Sequence, residues 1–385
     1  MSKQLCGGSR LALPPPLEDE HLLDEVLLRL GPQPSSLLRA TAVCRPWQHS
    51  ATDHGFLRRF HEHHGRPPLL GVFHNGYPNY YTDNFVRALA FTPVMDPPNC
   101  IPPQRFKLRV HDSQVLDCRN GRVLVQKLER ERSGVIVCDP LTGQQHHLPA
   151  IPPGGSRHFN RAVLCAAGSD RGHIHGHCHS SPFKVVLLCM SSGYGHVSIY
   201  SSRTGVWGNV PIADPCDLYE QDTPATLIGN VLHWLCTGDV ILQFNLDSQS
   251  LSVIQGPLTP DRVQRGAVLG QIMRADDGAI GFAVLEYPRL RVWQRNVNGH
   301  GKWVLQSSLK LYNILGVRAT IWGNGTESIV GYSEDVDTVF ILVDVHVYML
   351  HLKSLEFKIL DDGHRYYPFT SFYSPDSGAG SFRNH

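Results

Sequence analysis

The chain has 385 residues, of which 42% are hydrophobic and 18% charged, and its formal net charge is +1. That length suits two globular domains of unequal size. The near-neutral balance gives no general reason to expect nucleic acid or an anionic membrane as partner. The longest apolar stretch, Val339 to Leu350, carries Asp344 and His346 and is shorter than the roughly 20 residues a membrane span needs. Ahead of Pro14-Pro-Pro16 there is just Leu11-Ala-Leu13, too short for a signal-peptide core. An intracellular location, cytoplasmic or nuclear, is therefore expected. The ten cysteines include no Cys-x-x-Cys pair and are expected to be thiols.

The first elements are helical. After Glu18-Asp-Glu20, apolar residues at Leu22, Leu23, Val26, Leu27 and Leu30 form one stripe, which Gly31-Pro32 ends. The acidic residues suit a helix N-terminus. A second helix is predicted from Ser35 or Ser36, carrying Leu37, Leu38, Thr41, Ala42 and Val43, with Trp47 just beyond. A third is predicted from Asp53, presenting Phe56, Leu57 and Phe60 and stopping at Gly65. Three short helices with so many large apolar residues hold more than they can bury among themselves. The surplus points to a module completed by another protein, or to helices packed on the rest of the chain.

The pattern alone leaves both open, and a family resemblance decides between them. Leu22-Leu-Asp-Glu-Val-Leu-Leu-Arg-Leu30, Pro34-Ser-Ser-Leu-Leu-Arg-Ala-Thr-Ala-Val-Cys-Arg-Pro-Trp47 and Phe56-Leu-Arg-Arg-Phe60 resemble an F-box, in particular that of the large family of F-box proteins in grasses. Three positions depart from the family's pattern. Gly31 stands where Pro is usual, Glu18 where a Leu-Pro start is common, and Pro46 in place of a basic residue. The resemblance implies a dock for a Skp-type adaptor and, through it, a cullin scaffold. By position it places the adaptor contact on Leu22, Leu27, Leu30, Leu37, Leu38, Val43, Cys44 and Trp47. Each of these is also a candidate for an internal contact of the helical unit.

From Pro67 the helical periodicity vanishes, and Gly, Pro, Asn and Asp punctuate short runs rich in β-branched and aromatic residues. One pattern recurs: an apolar strand, a turn, then a bulky residue. It appears as Val135–Cys138, Thr142-Gly143, Leu148; Val197–Tyr200, Thr204-Gly205, Trp207; and Ile241–Phe244, Asp247-Ser248, Leu251. It returns as Arg291–Trp293, Asn298-Gly299, Trp303 and as Val347–Leu350, Lys353-Ser354, Phe357. Further apolar runs precede each, including Arg122–Val125, Lys184–Met190, Asn230–Leu235 and Gly281–Leu285. Units of roughly 40–50 residues with four strands predict propeller blades, six or seven of them, with a β-sandwich as the alternative. Leu69 to Leu116 has room for one more unit. The run Tyr366–Tyr373 is expected to pair near Leu70–Phe73 and close the ring.

The predicted architecture is thus α+β and multidomain. It comprises a leader (1–15), a three-helix F-box (16–65), a mostly antiparallel β-propeller (66–375) and a tail (376–385). Cys138-Asp-Pro-Leu-Thr-Gly143 and Gly229-Asn-Val-Leu-His-Trp-Leu235 also resemble the F-box-associated, kelch-like β domain of these proteins.

Enzymatic signatures are missing from the sequence: there is no Gly-x-Ser-x-Gly, phosphate-binding loop, Gly-x-Gly-x-x-Gly or His-Glu-x-x-His. His173-Ile-His-Gly-His-Cys-His179 would place four imidazoles on one strand face, but no second ligand pair is evident, and a polar inter-blade loop is the alternative. No metal and no cofactor is assigned. The function implied is a non-catalytic, substrate-recruiting subunit of a Skp-cullin-F-box ubiquitin ligase. The target protein would sit on propeller loops such as 75–84, 157–160, 193–196 and 214–222, with Tyr77, Tyr80, Tyr81 and Tyr219 as anchors. A non-degradative F-box scaffold is one alternative. Another is a carbohydrate-binding or enzymatic propeller, which acids converging on the central channel would favour.

Overall fold

The computed structural model describes residues 19–75, 89–108, 110, 112–128, 134–150, 159–167, 173, 175, 178–179, 181–191, 194–211, 224–236, 239–257, 270–296, 301–317, 327–360 and 365–373. The leader, the tail, Tyr77, Tyr80, Tyr81, Tyr219, His177, the candidate loop 214–222 and all of 75–84 after Asn75 lie outside these residues; of the candidate loops 157–160 and 193–196, the described residues 159–160 and 194–196 belong to strands, not loops. Two compact units are present. One holds the described residues up to Gly65 together with Phe372 and Tyr373; the other is Arg66–Ser371.

The helical unit has four helices: α1 (Glu20–Leu28), α2 (Pro34–Thr41), α3 (Arg45–Thr52) and α4 (His54–His64). Asp19 caps α1, accepting from His21 N at 2.9 Å and Leu22 N at 3.3 Å. Asp53 caps α4, accepting from Phe56 N at 2.7 Å. Gly65 ends α4 at φ +67°, a left-handed conformation that glycine adopts without strain. The helix α3 is additional to the three read from the sequence. It lacks an apolar stripe, burying Ser50 and Ala51, which is why periodicity passes over it. Pro46 sits in its first turn, where the missing N–H has no intrahelical partner to lose. The core is Leu23, Leu27, Leu37, Ala40, Ala51, Phe56, Leu57 and Phe60. Phe372 belongs to this unit, its ring stacked 4.2 Å from that of His61.

The second unit is a six-bladed β-propeller. Its first blade joins β1 (Leu69–Asn75) and β2 (Leu89–Pro93) to the last strand, β23 (Tyr366–Thr370). The second blade is β3 (Ser113–Arg119), β4 (Arg122–Lys127), β5 (Val135–Cys138) and β6 (Gln145–His147). The third is β7 (Phe159–Cys165), β8 (Phe183–Ser191), β9 (Tyr194–Ser201) and β10 (Val206–Pro211). In the fourth, β11 (Thr226–Ile228), β12 (Val231–Cys236), β13 (Val240–Asn245) and β14 (Ser250–Gln255) follow in order. The fifth holds β15 (Gly270–Arg274), β16 (Ile280–Glu286), β17 (Arg289–Arg295) and β18 (Trp303–Lys310), followed by the short helix α5 (Leu311–Leu315). The sixth is β19 (Ser328–Ser333), β20 (Thr338–Val343), β21 (His346–His351) and β22 (Phe357–Leu360).

The blades pack because their middle strands are apolar on both faces. Along β8, Val185 and Leu187 join a core with Leu124, Val135 and Val137 of the second blade. The alternate residues Val186 and Leu188 join Leu232, Trp234, Leu242 and Phe244 of the fourth. Ring closure follows the expected register: β1 pairs antiparallel with β23 through Val72↔Pro368 and Phe73↔Tyr367. Because β23 bonds to β1 alone, Pro368 occupies an edge strand, where its missing donor is tolerated.

The recurrent turn has a common geometry. Four hairpins close with a bond or cap from the residue ending the third strand region and a left-handed residue four positions later. In the second and third blades Gly143 N donates to Asp139 O, and Gly205 N to Ser201 O, both at 2.8 Å. In the fourth, Asn245 Oδ1 accepts from Asp247 N and Ser248 N, and Gln249 has φ +50°. In the sixth, Leu355 N donates to His351 O at 2.9 Å, with Leu355 at φ +60°. The fifth-blade turn Asn298-Gly299 lies outside the described residues.

Candidate functional site

The sequence-predicted docking residues divide by burial. Leu27 and Leu37 lie in the helical core, and Leu30 and Trp47 pack against it. Leu22, Leu38 and Val43 are 49%, 38% and 60% exposed, and Cys44 is exposed as well. Val26, which the motif reading passed over, is 41% exposed. Leu22 and Val26 are four residues apart on α1 and so share one face. The helical unit thus completes a core and still presents four large apolar side chains to solvent, an arrangement suited to burial against another protein.

The axis of the propeller holds a second concentration of chemistry. The Arg119 guanidinium contacts Asp117 at 3.1 Å, Glu334 at 2.8 Å and the Ala225 carbonyl at 2.8 Å. Asp117 also accepts from Val163 N, and Glu334 from Leu227 N, both at 2.8 Å. Arg274 donates to the Glu334 carbonyl, and the Thr370 hydroxyl to the Asp335 carboxylate. Asp117, Arg119, Glu334, Asp335 and Thr370 line a pocket together with Gln271 and Tyr332. Burial raises the Asp117 and Asp335 carboxyls above the usual range, against the pull of Arg119 on the first and of the Thr370 hydroxyl on the second. Burial likewise raises the Tyr332 phenol. Acids do converge on the axis, but each is engaged by an arginine, a backbone N–H or a hydroxyl from another blade. Their chemistry is that of a stitch across strands rather than of a poised acid and base.

The described residues of the histidine-rich segment, His173, His175, Cys178 and His179, are not in a strand. His179 Nδ1 meets Asp139 Oδ2 at 2.7 Å. Although burial opposes it, this bond, the charge on His179 and the Thr142 N–H hold the Asp139 carboxyl below the ordinary range. His173 and His175 instead gather with Cys178 and with Cys165, the last residue of β7. Cys165 was missed in sequence because it lies eight residues before His173, at a strand end. The spacing Cys-x7-His-x-His-x2-Cys is the signal that carries it.

Fold and sites together define an F-box-type propeller protein. The family described as "F-box protein AT5G49610-like, beta-propeller" matches residues 114–375, and the chain belongs to it. None of the curated proteins compared with the chain matches it. Among solved structures, the chain is similar to TolB from Acinetobacter baumannii at 11% identity and a TM-score of 0.42, over 82% of this chain and 72% of that one. It is also similar to BBS1N in complex with ARL6DN at 12% identity and a TM-score of 0.35, over 66% and 71%. No helix among the described residues is long and apolar enough to cross a membrane.

Proposed function

We propose that this chain is a substrate-recruiting subunit of a Skp-cullin-F-box ubiquitin ligase, of the kind that grasses contain in large numbers. The helical unit takes a Skp-type adaptor, and the propeller takes a target protein. The observation that carries this reading is the outward apolar set Leu22, Val26, Leu38 and Val43 on a unit whose own core is complete. Membership of the propeller in an F-box family supports it. Leu22, Leu38, Val43 and Cys44 make the contact in this reading, while Leu27, Leu30, Leu37 and Trp47 hold the helices that present them. The chain's role is then positional and not catalytic: it raises the effective concentration of a bound protein near a conjugating enzyme.

The test is co-expression of the full chain with a Skp-type adaptor, beside a Leu38→Asp, Val43→Asp double variant. Both sites are exposed, so the variant should fold, and its helical circular dichroism should match the parent's. Burying unpartnered carboxylates in an apolar interface costs several kcal/mol, so affinity should fall by about 100-fold or more. Equal capture of parent and variant, or no capture of the parent, would overturn the reading.

A further inference from the structure

Cys165 ends β7, and the chain re-enters the third blade at Phe183. Between them the connection folds back on Cys165. Cys165 Sγ lies 3.1 Å from His173 Nε2. Cys178 Sγ lies 3.5 Å from the same nitrogen and 3.7 Å from His175 Nδ1. All four ligand atoms lie within 4.8 Å of one another. A tetrahedral zinc with bonds of about 2.3 Å to sulfur and about 2.0–2.1 Å to nitrogen has sulfur–nitrogen edges of about 3.6 Å. The three sulfur–nitrogen distances fall on either side of that value. Two thiols and two imidazoles make a complete zinc donor set with no position left for water.

We propose that Cys165, His173, His175 and Cys178 form a structural zinc site in the connection between β7 and β8. This goes beyond the ligase reading and does not depend on it.

The surroundings place the ligands before any ion arrives. The buried Arg122 of β4 donates to the carbonyls of Cys178 and Ser181, and its guanidinium lies over the Phe183 ring at 5.2 Å. Ser181 N closes a turn on the Cys178 carbonyl at 3.0 Å. His179, beside Cys178, is tied to Asp139, whose Oδ1 is in turn fixed by the N–H groups of Leu141 and Thr142 at 2.9 and 3.2 Å. Residues outside the ligand set thus orient Cys178 from the neighbouring blade, as supporting contacts do in metal sites. His175 is exposed, so the ion can enter from solvent. Once bound, zinc would staple the connection to the end of β7, as the Arg122 and His179 contacts already staple it to the second blade. The result is a rigid loop at one end of the ring, where loops supply recognition.

The experiment uses the full chain carrying a tag without histidine, purified from zinc-supplemented medium, with metal measured by elemental mass spectrometry. About one zinc per chain is expected, falling at least about tenfold in Cys165→Ser, Cys178→Ser and unchanged in His147→Ala, an exposed histidine outside the cluster. The parent, stripped with chelator and titrated with cobalt(II), should develop a thiolate-to-metal band and the intense visible bands of a tetrahedral centre. Because His175 is exposed, His175→Ala should fold and yet weaken those bands, which keeps the test valid if the serine variant does not fold. Equal zinc in parent and serine variant would overturn the proposal. So would no zinc in the parent, or a Cys165–Cys178 disulfide in peptide maps made without reductant.

Discussion

Leu27 and Val186 are both wholly inaccessible to solvent, but by different means. Leu27 is enclosed by residues of its own four-helix unit, all drawn from a short stretch of chain. Val186 is enclosed by Trp234, Leu242 and Phe244, which arrive from the next blade. The helical unit turns one face inward and keeps another for solvent or a partner. The middle strands of the propeller spend both faces on neighbouring blades. A partner of the propeller is therefore left with its loops and outer strands, where Val253, Val304 and Ile359 are exposed. A partner of the helices can take a whole helix face.

The sharpest way to test that contrast is to damage the stitch across blades. Replacing Arg119 with Met strands the Asp117 and Glu334 carboxylates in a buried setting and should cost about 3–5 kcal/mol. The urea transition of the propeller should move by that amount, while the helical circular dichroism of the helical unit, which shares none of these contacts, stays unchanged. A silent Arg119→Met would mean that the axis contributes nothing to holding the blades together.

A smaller, pH-dependent effect belongs to β12. His233 is buried against Gln243 Nε2 at 2.9 Å and the Thr226 carbonyl at 3.4 Å, and burial lowers its pKa below 6.5. The unfolded chain takes up this proton near 6.5 while the folded chain does not. The contribution to stability is therefore complete above pH 6.5 and is lost as pH falls below it, with a slope of at most about 1.4 kcal/mol per pH unit. In His233→Gln, the drop in unfolding free energy between neutral pH and the acidic side of 6.5 should be shallower than in the parent. Parallel curves would exclude His233 as a source of acid sensitivity.

The smallest change should be a gain. Leu355 holds the left-handed turn position that Gly143 and Gly205 fill in other blades, and its side chain is 37% exposed. Leu355→Gly relieves backbone strain of about 1–2 kcal/mol and gives up some packing and chain entropy, so a net gain of up to about 1 kcal/mol in the same urea transition is expected. A loss would mean that Leu355 contributes more through its contacts than its backbone conformation costs.

Much of this was legible one residue at a time. Asp53 and Gly65 bound α4 as their capping chemistry predicts. The Thr142-Gly143 and Thr204-Gly205 turns fall where hairpins turn, and Tyr366–Thr370 closes the ring against β1. What escaped was of two kinds. The helix α3 has no apolar stripe, so a periodicity search has nothing to find. The division of the F-box leucines into inward Leu27 and Leu37 and outward Leu22 and Leu38 depends on how four helices cross.

By itself the sequence determined the class of each segment: helical at the front and repeated four-stranded units behind, with hairpins at definite places. These features rest on local terms, such as side-chain period, caps and the backbone freedom of glycine, that a short window contains. The tertiary structure alone decided that there are six blades, and that Arg119 meets Glu334 across more than two hundred residues of chain. It alone brought Cys165 to His173, His175 and Cys178. Those pairings depend on how blade faces and loops come together in the ring, and no local pattern carries that information.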